Sequence, residues 1–194
     1  LLIRFPYTGE VIGAVPALPA ADVWSILDAA AQRRFDLSRH ERATILQRIA
    51  DRLEAEAEEL AHLITLESGL CLKDTRHEVR RAQDVFRFAA LEALRDDGET
   101  FACDISPNGR NRRAHTLREP LRLITAITPF NHPLNQVAHK VAPAIATNNV
   151  MVVKPSSRTP LSAVRLAWIM REAGLPDGMV TIVTGKTEEI GDLL

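Results

Sequence analysis

The sequence predicts an α/β protein in three parts: an N-terminal helical scaffold, a β-hairpin, and part of a parallel sheet. Three observations lead there. Apolar residues recur at helical spacing through the first half of the chain. Asn108-Gly109, the strongest short hairpin signal, then sits between two extended stretches. From Pro120 onward, short apolar runs alternate with helical patterns in the β-α-β-α-β order that implies right-handed crossovers and parallel strands.

Residues 1–16 read as two short extended pieces around "YTGE", with Thr8-Gly9 as the turn. A helix is predicted over 20–35, with Val23, Ile26, Leu27 and Ala30 on one side. Ser38 and Glu41 have capping-box spacing and open one longer helix. Its stripe runs Leu46, Ile49, Leu53, Ala57, Leu60, Ile64, and Gly69 is a suitable C-terminal cap. Asp74 is placed to cap a third helix with Val79, Ala82, Phe86, Ala89 and Ala93 on one face, stopped by Gly98 in "RDDGE". "TFACDIS" and "RRAHTLRE" then flank "PNGRN" as the arms of the hairpin.

In the last part "LRLITAI" is a strand, and Pro133 suits the first position of the helix "PLNQVAHKVAPAIA". "VMVVK" is almost wholly apolar, the pattern of a strand buried on both faces. Thr159 and Pro160 read as N-cap and first residue of "LSAVRLAWIMREA", which Gly174 closes. "PDG" turns the chain into the strand "MVTIV", and "TEEIGDLL" starts another helix. The strands' carboxyl ends, "TPFNHP", "KPSS" and "TGKTEEIG", therefore share one rim, where parallel sheets bind ligands.

Composition narrows the partners. With 24 Lys+Arg against 25 Asp+Glu, nothing calls for nucleic acid or an anionic membrane, and Arg110, Arg112 and Arg113 read as solvated hairpin arginines. No apolar run approaches the roughly 20 residues of a bilayer span, and no secretory leader is apparent, so a cytoplasmic protein with reduced Cys71 and Cys103 is expected. The six histidines show no metal-ligand spacing.

At the rim, Lys154 ends an apolar strand, where its ammonium either donates to ribose hydroxyls and phosphate oxygens or is a solvated loop lysine. Asn131 offers two N–H donors without charge: either an oxyanion donor beside a reacting carbonyl or a simple helix cap. The dinucleotide fingerprint G-x-G-x-x-G is absent.

"ITPFNHPLNQVAHKVAPAIATNNVMVVKPSSRTPLSA", followed by "EAGLPDGMVTIVTG", resembles the cofactor-binding region of the aldehyde dehydrogenase superfamily. The P-[FW]-N-x-P and K-P-S-x-x-T-P elements at this separation carry the likeness. It extends through "YTGEVIG", "LSRHERATILQRIADRLE" and the Asn-Gly hairpin, and so covers essentially the whole chain. The resemblance implies an aldehyde dehydrogenase-like α/β fold: a scaffold over 1–99, an oligomerisation hairpin over 100–119, and half of a parallel Rossmann-like cofactor sheet over 120–194. It further implies NAD- or NADP-dependent oxidation of a small-molecule aldehyde by a homodimer or homotetramer. In that chemistry a cysteine thiolate attacks the aldehyde, hydride passes to nicotinamide, and a glutamate-activated water or another acceptor releases the product.

By this resemblance Asn131 matches the oxyanion asparagine and Lys154 the lysine on the adenosine ribose. Thr128, Pro129, Phe130, Ser156 and Ser157 match the cofactor lining, and Thr187 and Gly191 fall where adenine and pyrophosphate pack. Ser157 departs from the glutamate frequent in the family; with Arg158 beside it, a 2′-phosphate meets no repulsion, so NADP is expected to be tolerated. The family's cysteine and glutamate have no match before Leu194, which leaves two expectations: a piece of a longer enzyme, or an inactive nucleotide-binding or assembly module. His132, "SPNGRNRR" and "NQVAHK" bring the chain nearest the branch that oxidises phosphonoacetaldehyde. Arg81, expected half-buried on a stripe with Val85 and Phe88, matches the arginine that grips the substrate's anionic group; the alternative is a structural pair with Glu78 or Asp84.

Overall fold

All five residues of the strand Val150–Lys154 are buried, and the rest of the fold is organised around it. The computed structural model describes residues 1–95 and 98–194. In chain order the elements are β1 (Leu2–Arg4), β2 (Val11–Ala14), α1 (Ala20–Gln32), α2 (Arg39–Ala55), α3 (Ala57–Ser68), α4 (Leu72–Ala93), β3 (Thr100–Ala102) and β4 (Arg113–His115). The second half holds β5 (Leu123–Ile127), α5 (Pro133–Ala146), β6 (Val150–Lys154), α6 (Leu161–Glu172), β7 (Val180–Ile182) and α7 (Thr187–Ile190).

The three strands pair in parallel in the order β5-β6-β7, with Ile127 opposite Lys154 at the carboxyl end. The period-2 alternation of β6 supplies both layers. Met151 and Val153 join the core formed with α2 to α6, whereas Val150 and Val152 join Val23, Leu27, Val183 and Ile190 on the opposite face. Lys154 shares the parity of Val150 and Val152, so its side chain emerges on the α1 and α7 side.

α4 is the spine of the scaffold. Val79, Ala82 and Phe86 are completely buried on it, packed with α2 and α5. The capping box of Ser38 and Glu41 forms as expected and opens α2. β1 and β2 pair across a turn in which Gly9 takes φ 75°, a conformation that favours glycine.

Four local expectations are corrected. The long second helix breaks at Glu56 (φ −101°, ψ 15°) into α2 and α3. There the Glu56 carboxylate bridges Arg52 on α2 and Arg165 on α6, and both halves of the apolar stripe still pack on α4. Asp74 lies in the first turn of α4, not at its cap; Cys71 is the cap residue, and its thiol donates to the Asp74 carboxylate at 3.3 Å. α4 ends at Ala93, before "RDDGE", of which Asp96 and Asp97 lie outside the described residues. Asn108-Gly109 does not make a two-residue hairpin turn. It sits in a short 3-10 segment of a ten-residue connection between β3 and β4, where a Cβ on Gly109 would lie 1.8 Å from the Cys103 carbonyl oxygen.

Candidate cofactor and aldehyde site

The segment between β5 and α5 is held on both sides and open in the middle. The Thr128 amide donates to the Lys154 carbonyl at 3.1 Å, continuing the β5–β6 pairing past the strand. The Thr128 hydroxyl is buried without a hydrogen-bond partner among the described residues. Pro129, Phe130 and Asn131 are exposed. The Phe130 carbonyl accepts the Thr159 hydroxyl at 3.3 Å, which ties this corner to the loop after β6.

Asn131 is not the helix cap. That position is His132, which takes the left-handed conformation (φ 54°) and makes no side-chain cap bond. The free amides of the first turn of α5 are satisfied from another element. Leu134 N–H and Asn135 N–H donate to Glu78 Oε1 at 2.9 and 3.1 Å, and His132 Nδ1 lies 3.3 Å from Glu78 Oε2. Burial pushes the Glu78 carboxyl up; the Asn135 amide, His132 and the Leu134 amide pull it back.

The neighbouring helix repeats the device. Thr159, expected as the cap of α6, turns its hydroxyl to Phe130 instead, and Pro160 precedes the helix. Leu161 N–H and Ser162 N–H donate to Glu67 at 2.6 and 3.1 Å. Burial pushes the Glu67 carboxyl up to about 7, against the pull of the Ser162 and Leu161 hydrogen bonds, and the nearby Glu78 charge adds to the rise. Below about 4.5 the group is protonated in both states; between about 4.5 and 7 the folded state holds a proton that the unfolded chain has released. Stability is therefore expected to fall by about 3 kcal/mol as pH rises through that window. Thermal midpoints of wild type and Glu67→Gln at pH values on either side of it check this: the wild type should lose more, and parallel losses would refute the assignment.

Lys154 is 1% exposed. Its ammonium donates to the Thr187 hydroxyl, 3.2 Å away at the start of α7, which leaves donor capacity for a ligand at the rim. Burial pulls its pKa down and Glu188 pulls it up. Ser156 and Ser157 follow, partly exposed; the Ser156 hydroxyl accepts the Arg158 amide, and the Arg158 guanidinium lies 5.5 Å from the Phe130 ring centre. Gly191 follows α7, near enough to Thr187 that an added Cβ would lie 3.3 Å from its methyl group. Thr128, Phe130, Asn131, Lys154, Ser156, Ser157 and Thr187 thus gather at the carboxyl ends of the strands.

Arg81 is placed otherwise than expected. It is exposed, and Phe88 on its stripe is 67% exposed. At roughly 100° per residue, both lie opposite the buried arc of Val79, Ala82 and Phe86. The structural pairs weighed for it are absent: Glu78 is engaged with α5, Asp84 lies 3.8 Å from Arg87, and Arg81 makes no ion pair among the described residues. It does lie close enough to His139 on α5 that, after burial, its charge helps hold that imidazole below its usual range.

Cys71 and Cys103 are free thiols, at the cap of α4 and just after β3. The described residues contain no group of side chains able to hold a metal ion. Among them, no helix is long and apolar enough to cross a membrane.

Residues 3–194 match the Aldehyde dehydrogenase family. The chain belongs to that family. Among relatives of this aldehyde dehydrogenase chain, aspartate-semialdehyde dehydrogenase 1 of Pseudomonas canavaninivorans is 41% identical over 186 residues, covering 94% of this chain and 40% of the relative. The 3-sulfolactaldehyde dehydrogenase of Priestia megaterium is 37% identical over 194 residues, covering 95% and 41%. The crystal structure of a glyceraldehyde-3-phosphate dehydrogenase from Methanocaldococcus jannaschii, complexed with NADP, superposes with a TM-score of 0.90 at 37% identity over 98% of this chain and 42% of that one. The chain thus spans about two fifths of the length of such relatives.

Glu67 escaped the sequence reading, and Glu78 entered it only as a possible partner of Arg81, although a signal existed. Glu67 follows Leu60 and Ile64 on the buried stripe of α3, and Glu78 precedes Ala82 and Phe86 on that of α4. A charged residue on an apolar stripe demands a buried partner. In this aldehyde dehydrogenase chain the partners are the amide ends of two sheet helices.

Proposed function

We propose that these residues form the cofactor half of an NAD- or NADP-dependent aldehyde dehydrogenase that oxidises a small anionic aldehyde to its carboxylate. The observation that carries this reading is the buried Lys154 ammonium, linked by backbone to the Asn131 corner and bonded to the Thr187 hydroxyl at 3.2 Å. A buried cation with spare donors, together with a buried Thr128 hydroxyl that has no partner among the described residues, fits the hydroxyls and phosphates of a dinucleotide. The half-exposed Ile127 (51%) and Phe130 (53%) offer apolar surface to its flat rings.

When bound, NAD or NADP supplies a hydride acceptor. The chain's own residues do the rest of the work at this rim. Lys154 and Thr187 hold the adenosine ribose side; Ser156 and Ser157 line it, Gly191 leaves room, and Thr128, Pro129 and Phe130 line the approach to the aldehyde. Asn131 N–H donors face the aldehyde oxygen and stabilise the negative charge that develops there as a thiolate adds. That thiolate is supplied by neither Cys71 nor Cys103, neither of which stands at a position matching the family's nucleophile.

Arg81 and His132 are assigned to the substrate's anionic group, phosphonoacetaldehyde being the example nearest the motif pattern. The exposed guanidinium without an ion pair among the described residues supports this, as do relatives whose named aldehydes carry carboxylate, sulfonate or phosphate groups. Arg81→Ala in the full-length enzyme should raise KM for an anionic aldehyde roughly 10- to 100-fold, the worth of a charge-assisted hydrogen bond, and leave an uncharged aldehyde unaffected. Retained KM on phosphonoacetaldehyde and its phosphate and sulfonate analogues would remove Arg81 from the site. Reduced nicotinamide on mixing enzyme, cofactor and aldehyde tests the wider reading. The exposed hairpin strands, with Phe101 46% and Ile105 95% exposed nearby, suit assembly into a homodimer or homotetramer in the cytoplasm, which sedimentation and cell fractionation check.

A further inference from the structure

We propose that Glu78 is a positioning residue for Asn131, gripping the turn that carries the oxyanion amide and anchoring it to the scaffold. This rests on the oxyanion role proposed above. Glu78 is 1% exposed, and both its oxygens point into the Asn131 corner: Oε1 accepts the Leu134 and Asn135 amides, and Oε2 faces the His132 ring at 3.3 Å. It thus holds the residue directly after Asn131 and the helix turn that follows.

Two features argue that this is more than capping. The first is His132 itself. A left-handed conformation is strained for a residue other than glycine, and it persists only where its surroundings enforce it. The Glu78 carboxylate contacts this residue's ring and the amides just beyond it, and the conformation at φ 54° sets the direction in which the chain leaves Asn131. The second is distance in sequence. A serine or asparagine at the cap position would satisfy the free amides locally, without burying a carboxylate. The carboxylate comes instead from α4, 56 residues before Leu134, and couples the loop to the most buried helix of the scaffold. On its other side, the loop is tied through the Phe130 carbonyl to Thr159. Asn131 is exposed between two held neighbours, an arrangement that fixes an amide without covering it.

The test is a double-mutant cycle in the full-length enzyme, reading kcat and KM for cofactor and aldehyde. Glu78→Ala should lower kcat roughly 10- to 100-fold, the cost of a small misplacement at the reacting centre, with cofactor KM unchanged. Glu78→Gln keeps an oxygen for the two amides and should recover most of the loss. In an Asn131→Ala background, Glu78→Ala should lower kcat no further, because its effect passes through the amide already removed. An equal fold-loss in both backgrounds, or wild-type kcat in Glu78→Ala, overturns the positioning role alone. Wild-type kcat in Asn131→Ala overturns the oxyanion reading and this proposal with it. Should Glu78→Ala fail to fold, Glu78→Asp, which withdraws the carboxylate by one methylene, carries the same cycle with the same criteria.

Discussion

Asn131→Ala in the full-length enzyme is expected to lower kcat by roughly 10²–10³-fold, the range measured when one oxyanion donor is removed. The expectation follows from what Asn131 does not do in the fold. It is exposed, and the helix behind it is capped by Glu78. Removal of its amide therefore strips no structural bond, and surface changes of this kind usually move stability by less than about 0.5 kcal/mol. The thermal midpoint and the cofactor KM should stay near wild type while kcat falls. A matching drop in the thermal midpoint would mean that Asn131 is structural after all. Unchanged kcat would mean that charge on the aldehyde oxygen is stabilised elsewhere.

The second large effect concerns the cofactor. Lys154→Met should weaken NAD and NADP binding by roughly 10- to 100-fold, as expected for lost hydrogen bonds to a charged donor. It should not destabilise the free protein. Burial already disfavours the Lys154 charge, and methionine occupies similar length at the end of a strand whose other residues, Val150–Val153, are all apolar and buried. Calorimetric titration alongside thermal unfolding separates the two. Unchanged affinity would remove Lys154 from the cofactor site, whereas a lower thermal midpoint in the free protein would mark a structural ammonium. Ser157→Glu tests the other side of the same ribose. A carboxylate within about 4 Å of a 2′-phosphate costs roughly 1–4 kcal/mol, depending on local screening. NADP affinity should fall at least 5-fold with NAD affinity kept; equal changes in both would place Ser157 away from the 2′ position.

What could be read from the sequence was set by short-range chemistry. The Ser38–Glu41 capping box, the Gly9 turn, Pro133 at the start of α5 and the apolar run of β6 each depend on neighbours within a few residues, and each was found as expected. The parallel order of β5, β6 and β7 followed from the alternation of strand and helix. That order in turn located the rim that carries Lys154 and Asn131. The family likeness carried by "PFNHP" and "KPSSRTP" also stands in the chain itself.

The tertiary structure decided how the rim is held. Local rules assigned helix caps to Asn131 and Thr159, residues of the right type beside the right helices. Neither is a cap, because Glu78 and Glu67 arrive from 56 and 94 residues away and take the amides first. Arg81 shows the same limit in reverse: its spacing from Val85 and Phe88 indicated a half-buried stripe, yet only Val85 packs against the core, while Arg81 and Phe88 stay exposed. Sequence spacing tells which residues share a helix face; what covers that face depends on chain packed from far along the sequence. The sequence by itself therefore determined the family, the strand order and the rim. Only the packed structure showed that two buried carboxylates from the scaffold hold the helices on which that rim is built.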